Sequence, residues 1–403
     1  MGGRRIVMNE SIILLSKDAF GKFYLPTYGN KHWKTPNVDE LVAKGTVFNR
    51  FYTAAPSSAM AYWSMFTGKE AYESKQKNYT PVNTYEGETL FDKANNLGYE
   101  THVVWDVKWM TTAKLYSECY GKNTEIHPLI DIRQPVGAHY VHEGSLSASK
   151  EREKETINKI DTCLNEITKT EKKVFVWMHL PHVLNGRIGY GTDIDVYDQI
   201  VGIVRKYFKD ENIFLTADHG NMNGTHGKIG YGFDVYESAI NIPFIAPKYG
   251  EYEEYNGVIS NTNLYELIFE RQIPQKKYVF SDSAYYAQLH RKLAIISERY
   301  KYIYNKQDAK EELYDLIEDP GETQNLMYDK MYDVDRFLDT PLRELYFYPY
   351  WENIENIRTE FRKVKNDVWR EESSAEHFEA LYQKYGKIVK RKYNKFKSKK
   401  KKG

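Results

Sequence analysis

The chain has few cysteines and no long apolar run. Cys119 and Cys163 are the only cysteines among its 403 residues, too few for a disulfide framework or a cysteine metal site. The N-terminus lacks the apolar segment of a signal peptide, and no window approaches the roughly 18 apolar residues of a membrane span. These absences lead us to expect a cytoplasmic protein without a transmembrane segment.

Excess charge of either sign is also missing. The 57 lysines and arginines nearly balance the 56 aspartates and glutamates, so we expect no nucleic-acid partner. Basic residues concentrate at the end of the chain, in residues 384–402. This end is typical of a solvated tail, with binding to an anionic lipid or polymer as the alternative.

What the sequence does contain is a series of apolar runs separated by amphipathic segments. Runs typical of buried strands lie at 11–16, 46–53, 101–105, 174–178, 213–216, 242–246 and 278–281. Helical patterns lie between Thr35 and Gly45 and at 59–67, 88–97, 150–168 and 196–208. Alternating strands and helices predict an α/β domain whose mainly parallel sheet carries helices on both faces.

The pattern changes after about residue 285. Segments 293–297 and 300–304 predict an antiparallel hairpin, and the polar sequence from 328 predicts helices. We expect an α/β catalytic domain at 1–285, a small antiparallel β subregion of it at 286–327, and a helical, aromatic-rich and lysine-rich extension at 328–403. Aromatic residues at 346–351 predict packing against the main domain or against a second copy in a homo-oligomer.

Polar side chains follow two of the predicted strands. Asp18 comes after the first, and Asp218 and His219 come after the run 213–216. The carboxyl ends of parallel strands collect functional groups, and a carboxylate beside an imidazole suits a metal ion. Gly220 permits close backbone approach. The alternative is a turn in which His219 only hydrogen-bonds to the backbone.

Four further side chains could bind an anion near that site. His226 and Lys228 lie in the glycine-broken loop that follows, and His179 and His182 follow the run 174–178. The second pair suits an anion contact or another metal. A buried or capping histidine is an equally good interpretation of either one.

Ser58 precedes the predicted helix 59–67. A helix N-terminus favours an anion or a developing alkoxide. The alternative is that Ser57 or Ser58 serves only as the N-cap.

The order of these motifs resembles the sulfatase family, within the alkaline-phosphatase superfamily, over residues 11–326. The matching segments, in family order, are Asp18 with 28–29, then 35–39, 52–56 with 66–68, 97–101, 216–220 with 225–227, 242–244, and 312–316 with 319–326. The resemblance implies an alkaline-phosphatase-like fold and a metal-dependent hydrolase or transferase acting on a phosphate or sulfate ester.

The resemblance also implies a role for each candidate residue. Ser58 would be the nucleophile and would also contact the metal. The implied metal ligands are Asp18, Asp218 and His219; the implied catalytic histidines are His182 and His226; the implied anion contacts are Lys228 and His179.

The chain departs from true sulfatases at three places. Tyr62 stands where the formylglycine-forming motif has arginine, the double aspartate is absent around Asp18, and His219 replaces the asparagine of calcium-binding members. A mixed nitrogen and oxygen ligand set favours zinc or manganese, with calcium and magnesium as alternatives.

These departures resemble the phosphotransferase and phosphodiesterase branch of the superfamily. We therefore expect a Ser58-dependent enzyme acting on a phosphate ester, for instance of a glycan or surface polymer. Two alternatives stay open. One is a sulfuric ester hydrolase with formylglycine at Ser58, and the other is a catalytically inactive binding module of the same fold.

Overall fold

The computed structural model describes residues 10–74, 85, 87–106, 119–121, 123–129, 146–181, 193–283, 291–327 and 348–369. Its strands are β1 Ile12–Lys17, β2 Gly45–Phe48, β3 Phe51–Tyr52, β4 Glu100–Asp106, β5 Thr124–Leu129, β6 Val174–Leu180, β7 Ile213–Ala217, β8 Asn241–Ile242, β9 Phe244–Pro247, β10 Glu254–Tyr255, β11 Ile259–Ser260, β12 Val279–Asp282, β13 Lys292–Ile296, β14 Tyr300–Asn305 and β15 Glu311–Asp315. Its α-helices are α1 Pro36–Lys44, α2 Ser58–Thr67, α3 Leu90–Asn96, α4 Leu146–Ile167, α5 Ile194–Tyr207, α6 Glu237–Ile240 and α7 Tyr348–Val368.

The largest sheet has eight strands in the order β10-β2-β9-β7-β1-β6-β4-β5. Five neighbouring strands of this sheet pair in parallel, in the order β7-β1-β6-β4-β5. Strand β9 pairs antiparallel with both β7 and β2. Strands β1, β6 and β7 are buried along their whole length, as expected for a sheet covered on both faces. The predicted mainly parallel α/β fold is confirmed.

Strand β1 lies between β6 and β7, although both come much later in the chain. The chain order therefore reverses at β1, and the carboxyl ends of the three strands meet at one edge of the sheet. Crevices at such reversals bind ligands in open α/β sheets. Asp18, Asp218 and His219 all follow strands that end there.

Helix α2 follows the turn after β3 and is almost entirely buried. Nine of its ten residues are buried, so it is a core helix with no solvent-facing stripe. It ends at Gly68, whose φ of 68° is the left-handed conformation that favours glycine at a helix end. A helix held on all sides gives its first residue, Ser58, a fixed position.

A four-stranded antiparallel sheet, β12-β13-β14-β15, follows the main sheet in sequence. It includes the predicted hairpin as β13 and β14. Helix α7 packs on it, where Phe361 stacks on Tyr302 with ring centroids 5.9 Å apart. The side chains of the aromatic cluster 346–351 and the lysine-rich end fall outside the described residues.

Three elements differ from the sequence prediction. The predicted strand 242–246 is two strands, β8 and β9, which lie in different sheets on either side of Pro243, a residue without a backbone N–H. The predicted strand 46–53 is two strands, β2 and β3, which pair in different sheets. Strand β5 was not predicted, because its Thr-Glu-Ile-His-Pro-Leu sequence lies at the sheet edge and lacks an apolar run. Within the described ranges, no helix combines the length and apolar character that crossing a membrane requires.

Candidate metal centre and nucleophile

The carboxylate of Asp218 is held by the ends of two neighbouring strands. Its Oδ1 accepts hydrogen bonds from the backbone N–H of Ala19, at 3.0 Å, and from its neighbour His219, at 2.7 Å. Ala19 has a φ of 53°, a left-handed conformation that is strained for alanine. The turn after β1 thus directs a backbone donor at Asp218, one residue beyond Asp18.

Four side chains converge at this point. Nε2 of His219 lies 3.7 Å from Oδ1 of Asp18 and 3.5 Å from Oδ2 of Asp218. The same nitrogen lies 3.0 Å from Oγ of Ser58. Asp18, Asp218 and His219 are all buried. The structure therefore brings the predicted ligands and the predicted nucleophile together.

The backbone partner of Nδ1 fixes the tautomer of the neutral His219 ring. Nδ1 lies 2.8 Å from the carbonyl oxygen of Gly220, which can only accept, so Nδ1 carries the proton. In the neutral ring, the lone pair of Nε2 then faces Ser58 and the two carboxylates. A backbone partner that fixes the tautomer in this way is typical of a metal-ligating histidine.

The electrostatics of the cluster also suit a cation. Burial raises the pKa of Asp218 to about 6; His219 opposes the rise and the Asp18 charge adds to it. Two buried carboxylates beside an imidazole lone pair are costly without positive charge. The donor set of Asp18, Asp218, His219 and Ser58 therefore fits one divalent metal ion.

Ser58 occupies the first turn of α2. Ser57, not Ser58, takes the N-cap position, and its side chain makes no capping hydrogen bond. The Oγ of Ser58 instead faces His219. The positive end of the helix dipole favours negative charge at this hydroxyl.

Gly220 lets a second segment approach the site. A Cβ on this residue would lie 2.1 Å from the carbonyl oxygen of Ser238. The backbone N–H of Gly220 donates to the oxygen of Ala239 at 2.8 Å. The close backbone approach expected of this glycine is confirmed.

A directed chain of hydrogen bonds supports Asp218 from the protein interior. Nε1 of Trp177 donates to Oγ of Ser16 at 2.8 Å, and that hydroxyl lies 2.8 Å from Nδ1 of His179. Nε2 of His179 lies 2.7 Å from the hydroxyl of Tyr62, which donates to Oδ2 of Asp218 at 2.9 Å. An indole can only donate and a carboxylate can only accept, so every proton in the chain points towards Asp218.

His179 was expected to contact an anion, but its ring is buried within this hydrogen-bond chain. Its side chain is 1% exposed, and both ring nitrogens have protein partners. It also stacks on Trp177, with ring centroids 5.4 Å apart. His179 is therefore a buried histidine, the alternative interpretation of the sequence, and Tyr62 connects it to Asp218.

His226 and Lys228 lie on the loop after His219. The ring of His226 stacks on Tyr236 at 3.8 Å between centroids, and Nζ of Lys228 pairs with Asp234 at 2.7 Å. Burial lowers the pKa of His226. His182 lies outside the described residues.

The sequence interpretation missed three side chains of the site. Tyr62 was noted only as a departure from a motif, and Ser16 was not singled out. Tyr231 was also missed; its ring lies 4.4 Å from that of His219. One signal was available, because Tyr62 follows Ser58 by four residues and so shares its helix face.

Lys17, the residue before Asp18, is buried. Its ammonium pairs with Asp193 and with the oxygen of Pro181, each at 3.0 Å. The residue before Asp18 is therefore an interior cation, where a true sulfatase would place acidic residues.

Comparison with known proteins identifies the family. The family model described as Sulfatase matches residues 10–270. An arylsulfatase of Clostridium perfringens is 27% identical over 163 residues, which cover 39% of this chain and 29% of that protein. The chain thus spans less than a third of that relative.

Solved structures share the fold at low sequence identity. A phosphonate monoester hydrolase of Agrobacterium radiobacter has a TM-score of 0.63 at 15% identity, with 87% of this chain and 96% of that chain covered. A 2-O GAG sulfatase has a TM-score of 0.57 at 17% identity, with 88% and 94% covered. With the family model matching well over half of its length, the chain belongs to the sulfatase family, within the alkaline-phosphatase superfamily.

Proposed function

We propose that this protein is a metal-dependent hydrolase or transferase of phosphate esters with unmodified Ser58 as its nucleophile. The observation that carries the proposal is the 3.0 Å separation between Oγ of Ser58 and Nε2 of His219, beside Asp18 and Asp218. A bound divalent ion would lower the pKa of the serine hydroxyl and offset charge on the ester oxygens. Zinc or manganese suits the mixed donor set best.

The chemistry then belongs to Ser58. Its hydroxyl loses a proton to water, and Oγ forms a bond to phosphorus while the bond from phosphorus to the leaving oxygen breaks. The leaving oxygen takes a proton from water. Water or an acceptor alcohol next attacks phosphorus, releases Oγ and returns a proton to Ser58.

The tyrosine at position 62 is evidence that Ser58 is not converted to formylglycine. Formylglycine formation in the family uses an arginine at this position, whereas here the Tyr62 hydroxyl holds Asp218 and contacts His179. We therefore assign Tyr62 a different role in this chain, which is to orient Asp218 as a metal ligand.

Lys228 and His226 are proposed anion contacts. Lys228 and Lys292 both pair with Asp234, and both ammonium groups lie within 5.8 Å of the Tyr236 ring centroid. Two ammonium groups share one carboxylate, so each keeps N–H donors that can contact a phosphoryl group.

Turnover of matched aryl esters tests the proposal. With added zinc or manganese, we expect faster turnover of an aryl phosphodiester than of an aryl sulfate, and loss of activity in Ser58→Ala. Ser57→Ala is the control, because the neighbouring serine makes no capping hydrogen bond and should stay active. Faster turnover of the sulfate would refute the phosphate preference.

A true sulfatase is the second candidate, favoured by the identity to an arylsulfatase. It requires formylglycine at Ser58, which has two hydrogen atoms fewer than serine. Intact-protein mass spectrometry distinguishes the two. Active protein whose Ser58 carries its full mass excludes formylglycine chemistry.

A further inference from the structure

A second group of metal-ligand side chains lies at the outer edge of the main sheet. Strands β4 and β5 pair in parallel, with His102 opposite Glu125 and Val104 opposite His127. Side chains two residues apart on a strand share a face, so His102, Glu125 and His127 project from the same side of the sheet.

The spacing of their donor atoms matches a tetrahedral ion. Nδ1 of His102 lies 2.9 Å from Nε2 of His127. The Glu125 carboxylate lies 3.8 Å from each of these nitrogens, through one oxygen to each. Ligands about 2.0–2.2 Å from zinc at tetrahedral angles lie about 3.3 Å apart, and the three observed separations bracket that value.

The group is separate from the site at Asp218. His102 is in register with Val176, whose partner on β1 is Ile13. Asp18 lies five residues after Ile13, just beyond the end of β1, and so roughly 16 Å away along the strand direction at ~3.3 Å per residue. It also lies two strands across the sheet.

The group of His102, Glu125 and His127 is partly exposed, which leaves room for an ion. The side chain of His102 is 8% exposed, that of His127 22% and that of Glu125 68%. Coordination at tetrahedral spacing requires the two imidazole nitrogens, now 2.9 Å apart, to separate by a few tenths of an ångström and the carboxylate to come closer to both. The partial exposure of His127 and the large exposure of Glu125 leave room for these shifts. The solvent side remains open for water as a fourth ligand.

We propose that His102, Glu125 and His127 form a second, structural site for a zinc-type divalent cation that clamps edge strand β5 to β4. Two imidazoles and a carboxylate are a ligand set that suits zinc. An ion bound only by the folded chain stabilises it by mass action. The competing account is a hydrogen-bonded imidazole pair with a nearby carboxylate and no ion.

Zinc titration of the full-length protein tests the proposal in a background that lacks the first site. The Asp218→Ala chain is freed of metal with a chelator and titrated with zinc by calorimetry, and its Tm is measured. We expect one equivalent of zinc and a rise in Tm. Adding Glu125→Gln or His127→Gln should raise the Kd for zinc by more than about 100-fold. This exceeds the 10–100-fold loss of affinity that is typical when a residue hydrogen-bonded to a metal ligand is replaced.

The substitutions are chosen so that folding does not confound the result. Glu125 is largely exposed, so Glu125→Gln leaves the core intact. Glu155→Gln on α4, also exposed, is the matched control and should keep the zinc equivalent. An Asp218→Ala chain that binds no zinc, or binding that persists unchanged in His127→Gln, would overturn the proposal. In the otherwise unaltered protein, His127→Gln should leave turnover of the aryl phosphodiester within about twofold.

Discussion

Replacing Tyr62 by phenylalanine removes one hydroxyl from the hydrogen-bond chain behind Asp218. The change leaves the ring and its packing in place, but Nε2–H of His179 loses its acceptor and Oδ2 of Asp218 loses a donor. A hydrogen bond to a charged group contributes about 1.5–3 kcal/mol, and a buried unsatisfied group costs about 1–3 kcal/mol. We expect the free energy of unfolding of the metal-free chain to fall by at least about 2.5 kcal/mol, which is the sum of the two lower values.

Metal binding should change as well, because Tyr62 orients a ligand. Loss of such a partner typically weakens metal affinity about 10–100-fold. A competition titration with a chromophoric chelator measures that affinity, and urea denaturation followed by circular dichroism measures stability. Saturating metal should largely restore kcat, which separates a positioning role from general damage to the fold.

Tyr197→Phe is the matched control. Among the described residues, the Tyr197 hydroxyl is buried without a hydrogen-bond partner, so its removal should be neutral or stabilising. Metal affinity and stability that are the same in Tyr62→Phe and in this control would refute the role given to the hydrogen-bond chain.

Three further predictions concern the same fold. Gly220→Ala should cost about 1–3 kcal/mol of unfolding free energy by urea denaturation, because its Cβ would lie 2.1 Å from the Ser238 oxygen. Gly21→Ala should cost less, since its Cβ would meet the same oxygen at 3.4 Å, and equal losses would contradict the steric account. Burial raises the pKa of Glu70 from 4.5 to about 8, and the charge of Glu73 adds to the rise. Between these two pH values the folded chain keeps the Glu70 proton, whereas the unfolded chain releases it. The contribution of Glu70 to the free energy of unfolding therefore falls as pH rises through that window. Glu70→Gln should become more stable relative to wild type between pH 5 and pH 8. Plots of unfolding free energy against pH that run parallel for the two proteins would contradict this role of Glu70. His219→Gln should lower the metal content by one equivalent and turnover with it, measured by elemental analysis and the aryl phosphodiester assay, and full metal content would exclude His219 as a ligand.

The position of the candidate metal site was predictable because its strands are continuous apolar runs. Such runs mark strands of a parallel sheet, and the polar residues that end them, Asp18 and Asp218, lie at the sheet edge where ligands bind. Their adjacency was not predictable from pattern alone. It depends on β1 pairing with β7 across some two hundred residues of chain, and the family resemblance supplied that order.

The role of His179 was beyond sequence reasoning for a physical reason. The apolar run ended at residue 178, so His179 looked like the start of a loop, but β6 continues to Leu180. The strand can include a histidine because Ser16 and Tyr62, which are 163 and 117 residues away, satisfy its two nitrogens. Long-range partners of this kind leave no local signal.

Strand β5 was missed for a related reason. An edge strand has one face and one side open to water, so its residues need not be apolar. His102 and His127 therefore gave no pattern until the register of β4 and β5 placed them together.

Mass spectrometry of Ser58 during turnover tests the central claim most directly. The protein with zinc is mixed with an aryl phosphodiester, quenched in acid within the first turnovers, digested and analysed by peptide. We expect a phosphoryl adduct on the peptide that contains Ser58, and we expect no adduct in Ser58→Ala. A Ser58 that has lost two hydrogen atoms, or an adduct that forms on another residue, would contradict it.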